Sequence, residues 1–239
     1  MKAVIIAAGQ SSRLWERTDR TPKTLLPFDK GTILSTIIEN LKTCGIRDIV
    51  IVVGWKQREI QEYVRANNHF GATITFVENP EWQRGNGISV LAAQNAVGKP
   101  PFILSMCDHV VTPQAIKRLI KSKRKQNLLL VDKRIDQIFD IDDATKVQVK
   151  RKNIQRIGKE LAQYNGIDCG VFRLDDRFFN SMEQQLERDQ ESISAAVTGL
   201  INEKKMGAVF MKKDEYWIDI DTPEAYQFAV EQRVQHPLP

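Results

Sequence analysis

Small and basic residues near the start of the chain could bind phosphate. An apolar run, Ala3–Ala8, leads into the loop 9–12, Gly-Gln-Ser-Ser, and Arg13 and Lys23 follow. Small residues allow backbone N–H groups to approach an anion closely, and the two basic side chains add positive charge. Neither the Gly-Lys-Ser/Thr end of a P-loop nor the Gly-x-Gly-x-x-Gly of a dinucleotide site is present. The segment therefore predicts a phosphate site of another kind, and packing after a first strand is the alternative explanation for the glycine.

Three aspartates are placed where they could bind a divalent cation. Asp108 follows the apolar run Phe102–Ser105, so it should emerge at the carboxyl-end edge of a sheet. Asp219 and Asp221 are two residues apart on an extended segment, so their side chains should share one face. Mg²⁺ prefers one or two carboxylates together with phosphate oxygens. Alternatively, Asp221 caps the following helix and Asp219 is a surface residue.

The elements that must position these residues alternate along the first half of the chain. β-Branched apolar runs separated by helical segments of about ten residues predict parallel βαβ units, whose ligands lie beyond the carboxyl ends of the strands. The predicted strands are 3–8, 49–53, 73–78, 102–106 and 127–132, and the predicted helices are 33–44, 57–67, 87–96 and 112–122.

The second half of the chain has a different pattern. Alternating residues around Arg151-Lys-Asn153 predict a hairpin. The predicted elements are strands 145–150, 154–157, 166–174 and 208–211, helices 176–188 and 192–204, and a terminal helix from Thr222. No linker is visible, so we expect a single domain over 1–235 and a frayed tail over 236–239.

Composition restricts the class of protein. The 239 residues are 42% hydrophobic and 27% charged, as is typical of a globular domain. The longest apolar runs, such as Ile49–Val53, are too short to span a membrane, and Cys44, Cys107 and Cys169 form no Cys-x-x-Cys pair. We therefore expect a cytoplasmic protein that is not embedded in a membrane and that has neither a disulfide framework nor a zinc site.

The net charge of +5 raises the question of a polyanionic partner. The densest basic run, 117–125, contains apolar residues at helical spacing and no aromatic residue. That pattern predicts a helix with a solvated basic face rather than a nucleic-acid surface, so we expect small anionic ligands and no nucleic acid.

Two motifs at the start of the chain resemble a known family. Ala7-Ala-Gly-x-x-Ser-Arg-Leu14, followed by Pro22-Lys-x-Leu-x-Pro27, resembles the signature of the nucleotidyltransferases that are also called pyrophosphorylases. The segment Asn79–Ser89 is similar to the base-recognition loop of the cytidylyltransferase branch. Further segments look most like inositol-1-phosphate cytidylyltransferase, namely 106–110, 142–147, 157–161 and 164–170.

The resemblance implies a fold and a reaction. The fold would be a Rossmann-like three-layer α/β/α nucleotidyltransferase fold with a mixed, mainly parallel central sheet and a small β-hairpin insertion. Residues of about 1–135 would bind the nucleotide, and residues of about 136–235 would bind the acceptor. In the presence of Mg²⁺, a phosphate monoester would attack CTP and release pyrophosphate. The resemblance favours inositol 1-phosphate as this monoester, and the product would then be CDP-inositol.

The resemblance also assigns site residues. Arg13 would bind the triphosphate, Lys23 the α-phosphate and the attacking phosphate, and Lys146 or Lys159 the acceptor phosphate. The nucleotide-binding set is Ala7, Ala8, Gly9, Gln10, Ser11, Ser12, Arg13, Lys23, Asn86, Gly87, Ser89 and Cys107. The acceptor-binding set is His109, Lys146, Lys159, Asn165, Asp168 and Gly170. Among the metal ligands Asp108 is the firmest, and either Asp219 or Asp221 is the main second ligand. If strand geometry continues past Asp108, His109 should point away from the metal.

Partners follow from the same resemblance. In this family the enzyme is often fused to a membrane-embedded synthase. Because this sequence shows no such segment after the predicted terminal helix, we expect a free-standing form whose product could feed a separate synthase. It could also form a homodimer.

Other functions remain open on the sequence. The same reaction with phosphocholine, an aminoalkylphosphonate or a sugar 1-phosphate is one alternative. Phosphocholine would favour an aromatic cage, to which Trp82, Tyr164, Tyr216 and Trp217 could contribute. A non-catalytic nucleotide-binding regulatory module is an alternative of another class, although such a module would be expected to lose the basic and acidic residues named above.

Overall fold

The computed structural model describes residues 1–10 and 21–235. The strands are β1 (Ala3–Ala7), β2 (Pro27–Phe28), β3 (Gly31–Thr32), β4 (Asp48–Val53), β5 (Thr73–Glu78), β6 (Phe102–Met106), β7 (His109–Val111), β8 (Asn127–Asp132), β9 (Lys146–Lys150), β10 (Asn153–Gly158), β11 (Gly166–Leu174), β12 (Met206–Phe210) and β13 (Trp217–Asp219). The helices are α1 (Ile33–Thr43), α2 (Gln57–Ala66), α3 (Asn86–Ala92), α4 (Gln94–Val97), α5 (Pro113–Lys121), α6 (Arg177–Leu186), α7 (Ile193–Asn202) and α8 (Pro223–Gln235). None of the described helices is long and apolar enough to cross a membrane.

Nine of these strands form one central sheet in the order β5-β4-β1-β6-β11-β8-β12-β10-β9. Strands β5, β4, β1 and β6 are mutually parallel, as are β8 and β12. Strand β11 runs antiparallel to both of its neighbours, and β10 runs antiparallel to β12 and β9. The sheet is therefore mixed and mainly parallel, which confirms the prediction, and β1, β4, β6 and β8 end at the same edge.

Both faces of the sheet are buried. Along β1, Ala3, Ile5 and Ala7 belong to one core and Val4 and Ile6 belong to the other. Helices α1 and α5 pack on the first face, and α6 and α7 pack on the second. A strand that is covered on both sides reads as a continuous apolar run, which is why these strands could be recognised in the sequence. The predicted three-layer arrangement is confirmed.

The predicted hairpin is present as β9 and β10. Its turn residues Arg151 and Lys152 both have positive φ, 50° and 65°, as a tight hairpin turn requires. The hairpin pairs with β12 and β11, so it extends the edge of the central sheet. One predicted helix was partly wrong, because 87–96 is divided into α3 and α4 at Ala93.

A small two-stranded ladder was not predicted. Strand β7 pairs antiparallel with β13, and the register places Asp219 opposite His109. The backbone turns at Cys107 and Asp108, between β6 and β7. This ladder brings residues 217–219 next to the residues that follow the carboxyl end of β6.

Candidate active site

A cavity of about 630 Å³ opens at the edge of the sheet where β1, β6 and β8 end. Its lining includes Gly9 after β1, Asp108 after β6 and Asp132 at the end of β8. Asp168 and Gly170, near the start of the antiparallel strand β11, line it as well. The cavity therefore lies where parallel βαβ topology places ligands.

Lys23 is the central cation of the cavity. Its side chain is only 5% exposed, its Nζ lies 2.7 Å from Oδ2 of Asp108, and it also pairs with Oδ1 of Asp221. Burial by itself would lower the pKa of Lys23, but Asp108 and Asp221 outweigh burial and hold that pKa well above its ordinary value. The ammonium is therefore charged at neutral pH.

His109 is the second cation of this cluster. Its Nδ1 lies 2.7 Å from Oδ1 of Asp108, and its Nε2 lies 3.7 Å from Oδ2 of Asp219. Burial opposes protonation, but Asp219 and Asp108 together raise the pKa of His109 to about 10. The prediction that His109 points away from the aspartates is wrong, because the turn at 107–108 interrupts the strand geometry.

Asp108 is held between the two cations. Burial favours its neutral form, but Lys23 and His109 hold the pKa of Asp108 well below its usual range. Both of its carboxylate oxygens are engaged, Oδ2 by Lys23 and Oδ1 by His109.

The aspartates fit a hard cation. Oδ1 of Asp219 is buried and has no hydrogen-bond partner within the described part of the chain. Ligand atoms of Asp108, His109 and Asp219 lie within 4.8 Å of one another, and Asp221 joins the cluster through Lys23. Burial raises the pKa of Asp219 to about 7, against the opposing charge of His109. A buried carboxylate oxygen without a partner, beside two further carboxylates, suits the oxygen coordination of a divalent cation.

The start of α3 and the loop before it form another wall of the cavity. Oδ1 of Asn86 accepts a hydrogen bond from the backbone N–H of Ile193 at 2.9 Å. Oγ of Ser89 accepts one from Nδ2 of Asn79, also at 2.9 Å. Gly87 faces Met182 and the carbonyl of Glu191, and a Cβ at this glycine would overlap both. Asn86 and Ser89 line the cavity, whereas Gly87 serves close packing.

Glu191 fixes this loop from the second half of the chain. Its Oε1 pairs with Nη2 of Arg84 at 2.6 Å, and its Oε2 accepts from the backbone N–H of Gly85 at 3.0 Å. Its backbone carbonyl accepts from Gly87 N–H at 2.9 Å. The two halves of the chain are thus joined at this wall.

The two candidate lysines for the acceptor phosphate have different surroundings. Lys159 is half-exposed, lines the cavity and pairs with Oδ1 of Asp143 at 2.5 Å. Nζ of Lys146 instead donates to the carbonyls of Asp142 at 3.0 Å, Lys159 at 2.9 Å and Ala144 at 3.4 Å. Of the two lysines, only Lys159 faces the cavity.

The backbone of Gly170 packs against the His109 ring. Its φ is +69°, and a Cβ at this position would overlap the His109 ring. Its N–H donates to Oδ1 of Asp168 at 2.7 Å, and burial raises the pKa of Asp168 to about 6. A glycine is required here both by the backbone conformation and by the imidazole packed on it.

Trp217 also packs on the imidazole of His109. The rings of Trp217 and His109 are stacked, with centroids 5.8 Å apart and planes 12° apart. Nε1 of Trp217 donates to Oδ2 of Asp132 at 2.9 Å, and Arg134 pairs with that same carboxylate at 2.7 Å. Asp132 therefore orients Trp217, which in turn restricts His109.

Comparison with known proteins agrees with this geometry. Residues 3–137 match the MobA-like NTP transferase domain. The chain belongs to this family of NTP transferases. The predicted nucleotidyltransferase class is confirmed.

Several relatives of this NTP transferase cover nearly all of it. The chain is 32% identical over 95% of its length to a bifunctional IPC transferase and DIPP synthase of Thermococcus kodakarensis, and 30% identical over 95% to one of Aquifex aeolicus. The aligned regions cover 49% and 50% of those proteins, so the chain spans about half the length of these curated relatives.

Solved structures share its fold. The inositol-1-phosphate CTP transferase from T. maritima superposes with a TM-score of 0.84 at 26% identity, covering 100% of this chain and 97% of the other. A UDP-glucose pyrophosphorylase complexed with UDP-glucose superposes with a TM-score of 0.83 at 17% identity, covering 98% of each chain, and shows the fold alone.

Most of the site residues predicted for this NTP transferase come together. Those that line the cavity are Ala8, Gly9, Lys23, Asn86, Ser89, Cys107, Asp108, His109, Lys159, Asp168, Gly170, Asp219 and Asp221. Those that do not are Ala7, Gln10, Gly87, Lys146 and Asn165. Ser11, Ser12 and Arg13 lie outside the described residues. Asn165 pairs with the backbone N–H and carbonyl of Val149 at 2.8 and 2.9 Å, which is a structural role in the hairpin.

Asp132 and Trp217 were not predicted as site residues. Asp132 ends the predicted strand 127–132, just as Asp108 follows the strand before it, so the rule that identified Asp108 could have identified Asp132. Trp217 precedes Asp219 by two residues on the segment already singled out. Nothing in the sequence alone placed its ring on His109.

Proposed function

We propose that this chain transfers a cytidylyl group from CTP to inositol 1-phosphate and gives CDP-inositol and pyrophosphate. The observation that carries the proposal is the likeness over its whole length to the inositol-1-phosphate CTP transferase from T. maritima. The cavity supports it, because Lys23, the three aspartates and Lys159 all line it together with Gly9. The IPC transferases named above agree in the reaction class.

The reaction is an in-line substitution at phosphorus. An oxygen of the acceptor phosphate forms a bond to the α-phosphorus of CTP, and the bond to the leaving pyrophosphate breaks. The acceptor phosphate is ionised near neutral pH, so no side chain needs to remove a proton from it. The protein therefore contributes position and positive charge.

The residues of the chain divide this work. Lys23 binds the α-phosphate and the attacking phosphate, and Lys159, which also lines the cavity, orients the acceptor phosphate. Arg13, on the phosphate loop, binds the triphosphate, and Asn86, Ser89 and Cys107 contact the nucleoside. His109 and Trp217 hold Asp108 and Asp219 in place.

A magnesium ion completes the proposed site. Asp108, Asp219 and Asp221 would hold it, with the partnerless oxygen of Asp219 as the feature that favours binding. When bound, Mg²⁺ supplies charge that stabilises the phosphate oxygens of CTP and of the leaving pyrophosphate.

Two of the four aromatic residues considered for phosphocholine are poorly placed for a cage. A cage for a quaternary ammonium needs several ring faces around one point. Tyr164 is placed near Lys146, 5.9 Å from its Nζ, and does not line the cavity. One face of Trp217 is covered by His109. Trp82 and Tyr216 do line the cavity, so the preference for inositol 1-phosphate rests on the likeness to the T. maritima enzyme.

An acceptor panel tests the proposal. The purified chain is incubated with CTP and MgCl₂ and with inositol 1-phosphate, phosphocholine, 2-aminoethylphosphonate or glucose 1-phosphate in turn. Pyrophosphate release and ³¹P NMR of the product are then measured. We expect turnover with inositol 1-phosphate and a diphosphate product, and turnover confined to another acceptor would refute this assignment. UTP, ATP and GTP in place of CTP measure the nucleotide preference.

Other properties stay predictions. The names of the relatives join an IPC transferase to a DIPP synthase, and only the transfer reaction is proposed for this chain. The expected cytoplasmic location, the possible homodimer and the supply of product to a membrane synthase await measurement.

A further inference from the structure

Lys23 occupies the position between two of the proposed metal ligands. Its ammonium contacts Oδ2 of Asp108 at 2.7 Å and also pairs with Oδ1 of Asp221. The lysine is 5% exposed and the two aspartates are 14% and 22% exposed, so water screens these pairs weakly.

The oxygens that Lys23 uses are also the oxygens that a cation needs. Oδ1 of Asp108 is already engaged by Nδ1 of His109 at 2.7 Å. A divalent cation that ligates Asp108 must therefore share an oxygen with Lys23 or with His109, and its charge repels the cation already there. Lys23 is the side chain that joins Asp108 to Asp221, so a cation shared by these two aspartates competes most directly with its ammonium.

We infer that Lys23 is an internal counter-ion of the metal site, which a divalent cation displaces from Asp108 and Asp221. Displacement leaves a buried ammonium without its anions, which is strongly unfavourable unless another anion receives it. A phosphate group is such an anion. The site therefore binds a metal ion alone weakly and binds a metal ion together with a phosphate-bearing ligand well.

This inference rests on the magnesium site of the proposed function, but it concerns binding and not turnover. It assigns Lys23 a second role in addition to phosphate binding. The same ammonium stabilises the carboxylates before the ligand arrives and stabilises the phosphate afterwards. The exchange makes binding of the metal depend on binding of the phosphate, and the reverse holds by linkage.

Direct metal titration tests the inference. Mn²⁺ is the probe, because its unbound ion gives an EPR signal that falls on binding. The wild-type chain and Lys23→Met are titrated without nucleotide or acceptor. Since Lys23→Met removes the competing charge beside the carboxylates, we expect it to bind Mn²⁺ at least about tenfold more tightly than the wild type.

A matched variant controls for the general charge of the cavity. Lys159→Met also removes one lysine from the cavity wall, but Lys159 pairs with Asp143 and not with the aspartate cluster. We expect its Mn²⁺ affinity to stay within about twofold of the wild type, because Lys159 is half-exposed and its charge is already paired with Asp143. Adding Asp219→Asn to Lys23→Met should abolish the gain and so locate the bound ion.

Two outcomes of the Mn²⁺ titration overturn the inference. One is equal Mn²⁺ affinity in the wild type and Lys23→Met, and the other is an equal gain in Lys159→Met. If Lys23→Met does not fold, it is refolded with and without excess MgCl₂, in parallel with Lys23→Gln. We expect metal to increase the folded yield of both Lys23 variants, and an unchanged yield refutes the exchange. A chain that fails to transfer cytidylyl groups but shows these affinities refutes the proposed reaction and leaves this inference standing.

Discussion

Two groups of charged residues differ in how their side chains are used. We call Lys23, Asp108 and Asp221 the metal end of the site, and Lys146 and Lys159 its acceptor end. At the metal end, Lys23, Asp108 and Asp221 are joined directly by ion pairs. At the acceptor end, Lys159 faces the cavity, whereas Lys146 is held by three backbone carbonyls. Residues beyond the carboxyl ends of parallel strands share one edge of the sheet by topology. A polar side chain in or beside a hairpin can instead form its hydrogen bonds with nearby backbone groups. A polar residue is therefore stronger evidence for a site after a parallel strand than within a hairpin.

The largest expected effect comes from removing one negative charge at the metal end. Asp108→Asn keeps the shape of the side chain but removes the charge that faces Lys23 and His109. We expect kcat/KM for cytidylyl transfer to fall by about 10² to 10³, as for the loss of one electrostatic group at a reacting centre. The control is Asp214→Asn, an exposed residue near β13, whose kcat/KM should change little. A loss of less than about tenfold for Asp108→Asn would contradict the assignment.

The next prediction separates the two lysines of the acceptor end. Lys159→Met should raise KM for the acceptor by about tenfold with little change in stability, because it removes an exposed charge from the cavity wall. Lys146→Met should leave that KM unchanged and lower the free energy of unfolding by about 1 to 3 kcal/mol, because three carbonyls lose their donor. Steady-state kinetics and urea unfolding of both variants check this, and the reverse pattern would exchange their roles.

A smaller effect is expected where the halves of the chain meet. Glu191→Ala removes one of the two carboxylates that pair with Arg84 and the acceptor of the Gly85 N–H, so the nucleotide loop should be held less firmly. We expect KM for CTP to rise about three- to tenfold while KM for the acceptor is unchanged. Glu187→Ala, which changes an exposed residue at the end of α6, is the matched control. An equal rise in both KM values would show a general defect.

The smallest effect concerns pH. Burial raises the pKa of Asp168 to about 6, so the fold favours its protonated form. Its contribution to stability is fully present below the ordinary pKa near 4 and is lost as the pH rises through about 6. Relative to Asp168→Asn, the wild type should therefore lose on the order of 1 kcal/mol of unfolding free energy across this interval.

Urea unfolding of the two proteins at a series of pH values measures that difference. It should be constant above about pH 7, where Asp168 is ionised in the folded and unfolded chains alike. A difference that does not change between about pH 4 and pH 6 would show that Asp168 titrates normally.

Much of the fold could be predicted from the sequence, for a physical reason. Strands β5, β6, β8 and β11 have the predicted bounds, because β-branched and apolar residues concentrated between turn or helix segments are a strong signal. Strands β2, β3 and β7 have two or three residues, which is too short for a pattern to register. The division of 87–96 depends on how Ala93 turns between two helices, and neighbouring residue types do not encode that turn.

The site could be predicted in part for a related reason. Asp108 was identified because a motif and a strand end agree, and Asp221 because its spacing from Asp219 places both side chains on one face. The position of His109 was missed because it depends on the turn at 107–108 and on the pairing of β7 with β13, which are set by distant contacts. The stack of Trp217 on His109 depends on the same pairing, and the packing of Gly170 follows from it.

The ladder between β7 and β13 has a consequence for the making of the protein. Asp108 and His109 leave the ribosome long before Asp219 and Asp221, and domains generally acquire structure from the N-terminus during synthesis. A nascent chain that has not yet extended past Trp217 can carry the phosphate loop, Lys23 and Asp108 but not the remaining aspartates. Such a chain could engage a nucleotide without being able to consume it, so catalysis would begin only when the last strand docks.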